Sequence, residues 1–309
     1  MKLEGIHHIT AITADAQRNV DFYADLLGLR LVKKTVNQDQ PDVYHLFYAD
    51  EEGSPGADLT FFEFRGAPEG RAGAGMMHRI VSRVAISQAL DFWGERLGGA
   101  GVEIEREGER LRFRDPEGLE HEFAVIETGD EPLVAEHPDV PAEFALQGFE
   151  AVHAYAADPE HSRGLLEDAL GFEPGEDGWE ARGSRRGGRY VYDAAPDEPG
   201  LQGAGTVHHV AWASETDEHE SWRRRAIDGG ARPTPVIDRF WFQSIYFREP
   251  SGVLFEIATL GPGFAVDEDP DHLGEKLILP PFLEDRRSEI EAALVPVTNP
   301  RVERASAPG

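Results

Sequence analysis

The chain repeats itself, and this constrains it more than any other feature of its 309 residues. Four times a strand-like run leads into a helix with one apolar face, a glycine stop and further strand-like runs. In the first module, residues 5–66, Gly5-Ile6-His7-His8-Ile9-Thr10-Ala11-Ile12 alternates with the period of a strand. Asp15 is placed to cap a helix. Val20, Tyr23 and Leu27 share one helix face, and Gly28 supplies the stop. Strand-like runs follow at Leu29–Thr35, Tyr44–Tyr48 and Asp58–Phe64. The second module, 76–127, repeats the order with Ile80–Ile86, a cap at Ser87, the face Leu90/Trp93/Leu97, Gly98-Gly99, and strands at Arg110–Arg114 and Leu119–Ile126. The third, 147–195, starts at Phe149, caps at Asp158-Pro159, turns Leu166 and Leu170 inward, stops at Gly171 and closes with Arg189–Asp193. The fourth, 204–262, is capped near Thr216 or Asp217 and stops at Gly229-Gly230.

The expected fold is therefore α+β, four βαβββ modules that pair into two cups, followed by a short C-terminal extension. The sequential halves are 1–140 and 145–265, with a tail at 266–309. The acidic, proline-bearing stretch Thr128–Ala142 reads as the linker, and Gly175–Gly188 as an exposed loop. In the tail Pro280-Pro281 blocks a helix, Glu284–Leu294 is expected to form one, and Arg301–Gly309 is expected to fray.

Two histidine pairs occupy equivalent opening strands, His7-His8 and His208-His209, and Glu256 sits inside the apolar run Leu254-Phe255-Glu256-Ile257. A buried carboxylate needs a charged partner. Two imidazoles and one carboxylate make the ligand set His8, His209 and Glu256, which requires the first and fourth modules to share a cup. Matching the helices of the first two modules places His78 on His8, and matching turns places Glu122 on Glu256. The second cup then offers His78 and Glu122 but has Ala151 where a second histidine is needed, with His153 two residues on as a substitute. In regular strands His7 and His208 point away from the cup, and they reach it only if the strand twists or bulges.

In these motifs the chain resembles the vicinal-oxygen-chelate superfamily, also called the glyoxalase/bleomycin resistance/dioxygenase superfamily. Within it the chain is similar to the ring-cleaving dioxygenases that open hydroquinones. The resemblance runs through Leu3-Glu4-Gly5-Ile6-His7-His8-Ile9-Thr10, Tyr44-His45-Leu46-Phe47-Tyr48-Ala49-Asp50 and Pro250-Ser251-Gly252-Val253-Leu254-Phe255-Glu256. Its most particular part is the tail Gly263-Phe264-Ala265-Val266-Asp267-Glu268-Asp269 with His272-Leu273-Gly274. It implies two glyoxalase-like domains and Fe(II), or Mn(II), held by His8, His209 and Glu256. It also implies a pocket lined by His7, Thr10, His208, Arg239 and Tyr246, and a small aromatic substrate with O2. A nearby imidazole would take the substrate's proton, Arg239 or a histidine would face the negative charge that builds on oxygen, and Phe240, Trp241 and Phe242 would form an apolar wall. Two rival readings remain. A glyoxalase-like isomerase or lyase would draw a fourth ligand from the partner module, with Glu63 as the candidate. A metal-free resistance protein that binds aromatics would leave the triad idle.

Charge and composition narrow the class. The net charge of −28 argues against nucleic acid, whose phosphates need a basic face, so no nucleic-acid partner is expected. With no cysteine there is neither a disulfide nor a thiol nucleophile. No apolar run reaches the 18 residues of a membrane span, and a strand pattern begins almost at the N-terminus, so a cytoplasmic enzyme is expected, with a homo-oligomer open. The acid is spread along the whole chain and only four lysines occur, a pattern suited to a halophile's cytoplasm. If salt relieves this self-repulsion, the melting temperature rises between about 0.1 and about 2 M KCl; a flat or falling curve in a thermal melt points to a merely acidic mesophilic enzyme.

Overall fold

The structure, a computed structural model, describes residues 1–306. The first module contributes β1 (Ile6–Thr13), β2 (Arg30–Asn37), β3 (Gln40–Ala49) and β4 (Asp58–Glu63). The second contributes β5 (Met76–Val84), β6 (Ile104–Glu107), β7 (Arg110–Arg114) and β8 (Glu120–Val125). The third has β9 (Phe149–Ala156), β10 (Glu173–Pro174), β11 (Gly178–Arg182) and β12 (Gly187–Ala194); the fourth has β13 (Val207–Ser214), β14 (Ile237–Asp238), β15 (Gln243–Arg248) and β16 (Leu254–Thr259). One eight-stranded sheet runs β14-β15-β16-β13-β1-β4-β3-β2, the other β10-β11-β12-β9-β5-β8-β7-β6. Each sheet thus takes one module from each sequential half, joined by an antiparallel pair of opening strands, β1 with β13 and β5 with β9. Strand β1 is buried along its whole length because helices cover one face and the cup covers the other.

Local chemistry explains the repeat. The Asp15 side chain accepts from the Arg18 amide at 3.1 Å, so the first helix starts where a cap is available. Its regular turn, Ala16–Val20, widens to a π-helical segment at Asp21–Leu26 and ends at Gly28, whose φ of +70° suits glycine. The third module does the same with a π segment at Gly164–Ala169 and Gly171 at φ +72°. Two equivalent turns lead into the closing strands β8 and β16. Asp115 accepts from the amides of Glu117 and Leu119 and from the Tyr23 hydroxyl, and Glu249 accepts from Ser251, Val253 and the Tyr192 hydroxyl. The buried acids satisfy the turn amides that burial would otherwise strand.

Three expectations need correction. Gly175–Gly188 is not an exposed loop: β11 pairs with β12 inside it, and Arg186 is buried, donating to the carbonyls of Glu131 and Gln147. Glu284–Leu294 is split into a 3-10 segment, Pro281–Arg286, and a helix, Arg287–Ala293. Arg301–Ser306 does not fray but belongs to the helix Pro300–Ser306, started by the Asn299 side chain accepting from the Arg301 amide; 307–309 lie outside the described residues. Among the described residues no helix is long and apolar enough to cross a membrane.

The expected linker, Thr128–Ala142, is pinned rather than loose. Asp130 accepts from Arg83, from Arg182 and from the Gly187 amide. Burial alone would raise its pKa, but these donors outweigh it and hold the carboxyl at about 2. A depressed acid contributes stability that is present above about pH 4 and is lost as pH falls through about 2. Asp130→Asn should cost about 3 kcal/mol at neutral pH, because Arg83 is left buried with one partner fewer. Chemical denaturation at pH 7 and pH 3 checks this, with the difference between wild type and variant shrinking at the lower pH.

Candidate metal centre

Two irregularities in the central strand pair build the site. Ile6 pairs with Trp212 and His8 with Ala211, so His7 is an extra residue on β1. Thr10 pairs with His209 and Ala11 with Val207, so His208 is the extra residue on β13. A bulge re-aims side chains that strict alternation would send to the far face. Each bulged histidine turns onto its neighbour: His7 Nδ1 lies 3.0 Å from His8 Nδ1, and His208 Nδ1 lies 2.8 Å from His209 Nδ1.

Glu256 enters from β16, opposite Ala211. The two imidazole Nε2 atoms are 3.3 Å apart, and Glu256 Oε2 is 3.2 Å from His8 Nε2 and 2.9 Å from His209 Nε2. Glu256 is 0 % exposed, yet neither of its oxygens has a hydrogen-bond partner, because the nitrogens stand at ion-pair distance without donor alignment. Such a carboxylate is costly unless a cation meets it. Ligand atoms set at right angles about 2.1 Å from one ion lie about 3 Å apart, which is the spacing here. The donor set fits a divalent ion with open positions beside it.

The hydrogen bonds behind the ligands fix their tautomers. His7 Nε2 donates to the Thr259 carbonyl at 3.1 Å, so its Nδ1 accepts from His8 Nδ1–H and leaves His8 Nε2 with a free lone pair. In the second pair the ligand itself sets the direction: with His209 Nε2 aimed at the shared point, its proton sits on Nδ1 and His208 Nδ1 accepts it. Burial, with the neighbouring ligand imidazole second, pushes both His7 and His208 down to about 3, so both are neutral near pH 7. Asp58, opposite His8 on β4, is also buried without a partner. Burial, then the charges of Asp50 and Glu256, push its pKa well above its usual value.

A cavity of about 40 Å³ opens above the cluster, lined by His8, His209, His45, Phe47, Phe62, Trp241, Phe242, Arg239, Tyr246 and the β2–β3 turn, Asn37–Asp39. Of the residues expected to line it, Arg239 and Tyr246 do, while His7, Thr10 and His208 stand one layer behind, bonded to the ligands or against them. Thr10 Oγ1 is 3.0 Å from His209 Nε2. Phe240 is not part of the wall; Phe47 and Phe62 are. Arg239 lies over the Tyr246 ring, 5.6 Å from its centroid, and is paired with the exposed Asp39 at 2.9 Å. Burial first, then Glu256, pushes the Tyr246 phenol up, so it keeps its proton. The tail holds the wall in place: buried Lys33 bonds Asp267, Glu268 and the Phe264 carbonyl, and Asp267 accepts from Trp241 Nε1 at 3.1 Å.

The second sheet has bulges at His78 and Glu150. His78 therefore matches His7, and Arg79 takes the place of His8; the expected match of His78 to His8 is off by one residue, because the connection to the helix is one residue shorter there. Glu122 does match Glu256, being opposite Val81 as Glu256 is opposite Ala211. It is bonded by Arg110 and by Arg112 at 2.6 Å; burial would raise it, but these bonds hold it down. His78 and His153 share Asp193 at 2.8 and 2.9 Å, but Arg79 Nη2 lies 3.0 Å from that carboxylate and 2.9 Å from His153. A guanidinium fills the second cup where a cation would sit. Glu63 is not a fourth ligand either: it accepts from the Ala16 amide on the helix side, and the position matching Glu256 in the first module is Thr60. His45, Thr60 and Asp58 are the site residues that sequence reasoning missed.

The profile of the glyoxalase/bleomycin resistance protein/dioxygenase superfamily matches residues 5–123. Two Bacillus subtilis proteins, MhqA and MhqO, both named provisionally as ring-cleaving dioxygenases, are 40% and 43% identical; each match covers 96% of this chain, and 100% and 97% of theirs. The chlorohydroquinone/hydroquinone 1,2-dioxygenase of Sphingobium indicum is 34% identical over 94% of this chain and 95% of its own. A solved Bacillus subtilis structure, provisionally described as a dioxygenase, superposes with a TM-score of 0.89 at 40% identity, covering 96% of this chain and 98% of that one. Glyoxalase I from Zea mays, at TM-score 0.56 and 14% identity over 83% of this chain and 92% of its own, shares the fold alone.

Elemental analysis after reconstitution should give one divalent ion per chain. Glu256→Gln and His8→Ala should lose more than about a hundredfold in metal affinity, beyond the range for outer partners. His78→Ala and Glu63→Gln should keep the ion; two ions per chain, or loss in either of these variants, contradicts the assignment.

Proposed function

The chain belongs to the glyoxalase/bleomycin resistance/dioxygenase superfamily as a ring-cleaving dioxygenase, and we propose that it opens a hydroquinone-type (p-dihydroxybenzene) ring with O2 at His8, His209 and Glu256, with Fe(II) as the resident ion and Mn(II) as the alternative. The observation that carries this reading is the convergence of those three ligand atoms around a buried carboxylate that has no hydrogen bond. Two histidines and one carboxylate suit a non-haem ferrous site. The named hydroquinone dioxygenase among the relatives supports the substrate class. The cup shared by the first and fourth modules is the working domain of this reading, and the enzyme works in the cytoplasm on a small aromatic compound and O2.

A ferrous ion held there would supply positive charge for an ionised phenolic oxygen and one-electron chemistry toward O2. The chain's own groups do the rest. Phe47, Phe62, Trp241 and Phe242 give the ring an apolar wall and exclude water. Arg239, half-buried beside the cavity, offers N–H donors to negative charge that grows on oxygen. Tyr246, protonated, donates a hydrogen bond or a proton from the opposite strand. His7 and His208 hold the ligand rings and do not serve as bases, since their lone pairs already accept from His8 and His209. Thr60, a hydroxyl where a glyoxalase-like site would need a second carboxylate, counts against the isomerase reading.

Anaerobic reconstitution with Fe(II), followed by O2-electrode measurements, tests this against hydroquinones, catechols and a methylglyoxal–thiol adduct. One O2 should be consumed per hydroquinone and none with the adduct. Arg239→Ala and Tyr246→Phe should keep the metal and lower kcat by about 10- to 1,000-fold. Conversion of the adduct without O2 uptake overturns the reading.

A further inference from the structure

Five imidazoles surround the cup, and four of them have no lone pair left for a substrate. His8 and His209 aim Nε2 at the shared ligand point, and His7 and His208 spend Nδ1 accepting from them. The fifth, His45 on β3, is different. Its ring lines the cavity, held between Phe47 and Phe62 at centroid distances of 3.9 and 4.3 Å. Its Nε2 is 2.9 Å from Thr60 Oγ1, and its Nδ1 has no protein partner among the described residues.

The hydrogen-bond chain behind His45 has a direction. His209 carries its proton on Nδ1 and commits its Nε2 lone pair to the ion in the loaded site, so the Thr10 hydroxyl, 3.0 Å away, no longer donates to that nitrogen and is free to donate to a substrate oxygen at the ligand point. Thr10 then accepts from Thr60 at 2.8 Å. Thr60, having donated its only proton, accepts from His45 Nε2–H. This leaves Nδ1 of His45 as a bare lone pair facing the cavity. Burial, with His8 and His209 next, pushes the imidazole well below its usual range, so the lone pair persists at neutral pH.

We propose that His45 contacts the substrate, its Nδ1 accepting a hydrogen bond from the ring hydroxyl that stays protonated, while Thr10 at the other end of the chain donates toward the ionised oxygen. The proposal rests on the hydroquinone reading and deepens it. The site treats the two ends of the diol differently, and it selects rings that carry a second, neutral hydroxyl over rings of the same size without one. A buried acceptor left unpaired by such an analogue weakens binding.

The test is anaerobic calorimetry on the metal-loaded protein with hydroquinone and 4-fluorophenol, which is similar in size but has no donor at the second position. Wild type should prefer hydroquinone by at least about tenfold. His45→Leu should abolish that preference with metal content unchanged, and His45→Gln should restore part of it through its amide oxygen. Thr60→Val, nearly isosteric, should reduce the preference by freeing the His45 tautomer, an effect that a purely packing role would not produce. The inference is overturned if His45→Leu keeps the preference, or if His45→Leu and Thr60→Val weaken both ligands equally. A wild type that neither binds hydroquinones nor consumes O2 with them overturns the functional reading itself, and is told apart from those outcomes by the wild-type data alone.

Discussion

A carboxylate with no exposed surface and no hydrogen bond is the constraint on which the rest of this structure depends. Glu256 sits in a strand between Phe255 and Ile257, both fully buried, so the chain has placed a charge where water cannot reach it. Two imidazoles stand about 3 Å from its Oε2 without donating to it. Their lone pairs face the same point, because each has its own proton committed behind it. Here that proton goes to a second histidine beside each ligand, and two neighbouring residues on the same side of a strand require a bulge. The paired bulges at His7 and His208 are what lets the second histidine stand beside each ligand.

The second sheet shows what the same architecture does without an ion. Its bulges recur and its closing-strand glutamate recurs, yet Arg79 stands where the first cup has His8 and Ala151 where it has His209. Arg110 and Arg112 bond Glu122 directly. Positive charge built into the protein replaces positive charge brought from solution. The trio His78, His153 and Asp193 has ligand types within reach of one another, but the guanidinium of Arg79 already occupies their common ground. On the proposed reading Glu256 is neutralised by an ion where Glu122 is neutralised by arginine, and only an ion leaves room for chemistry.

Much of this was legible in the sequence because it was periodic. Alternation in Ile6–Thr13, the helix face Val20/Tyr23/Leu27, the stop at Gly28 and the paired turns at Asp115 and Glu249 each have a local cause that survives folding. A bulge has no such signature. A connection one residue shorter between strand and helix has no signature either, and it put His78 one place wrong when the modules were matched by their helices. His45 was hidden for a related reason: an imidazole between Leu46 and Tyr44, near Phe47, reads as an ordinary strand residue until the register with Phe62 and Thr60 is known. Glu63 misled in the opposite way. It ends a strand with the right residue type, but it lies an odd number of residues from Thr60 and so faces the helix, where it satisfies the Ala16 amide.

The tail and the β2–β3 turn complete the argument from opposite sides of the cavity. Lys33 is fully buried, and a buried ammonium requires anionic partners. It finds them in Asp267 and Glu268, which lie beyond the last module and therefore fold back over Trp241. This wall is rigid because taking it apart would strand a charge. The other wall is different: Asp39 is largely exposed, and its pair with Arg239 is the kind worth about 1 kcal/mol or less. A cavity of about 40 Å³ is far tighter than the few hundred Å³ usual for a ligand site, so a ring enters only by moving something. On the Asp39 side the cavity is closed by an ion pair whose acid faces solvent, not by a buried charge.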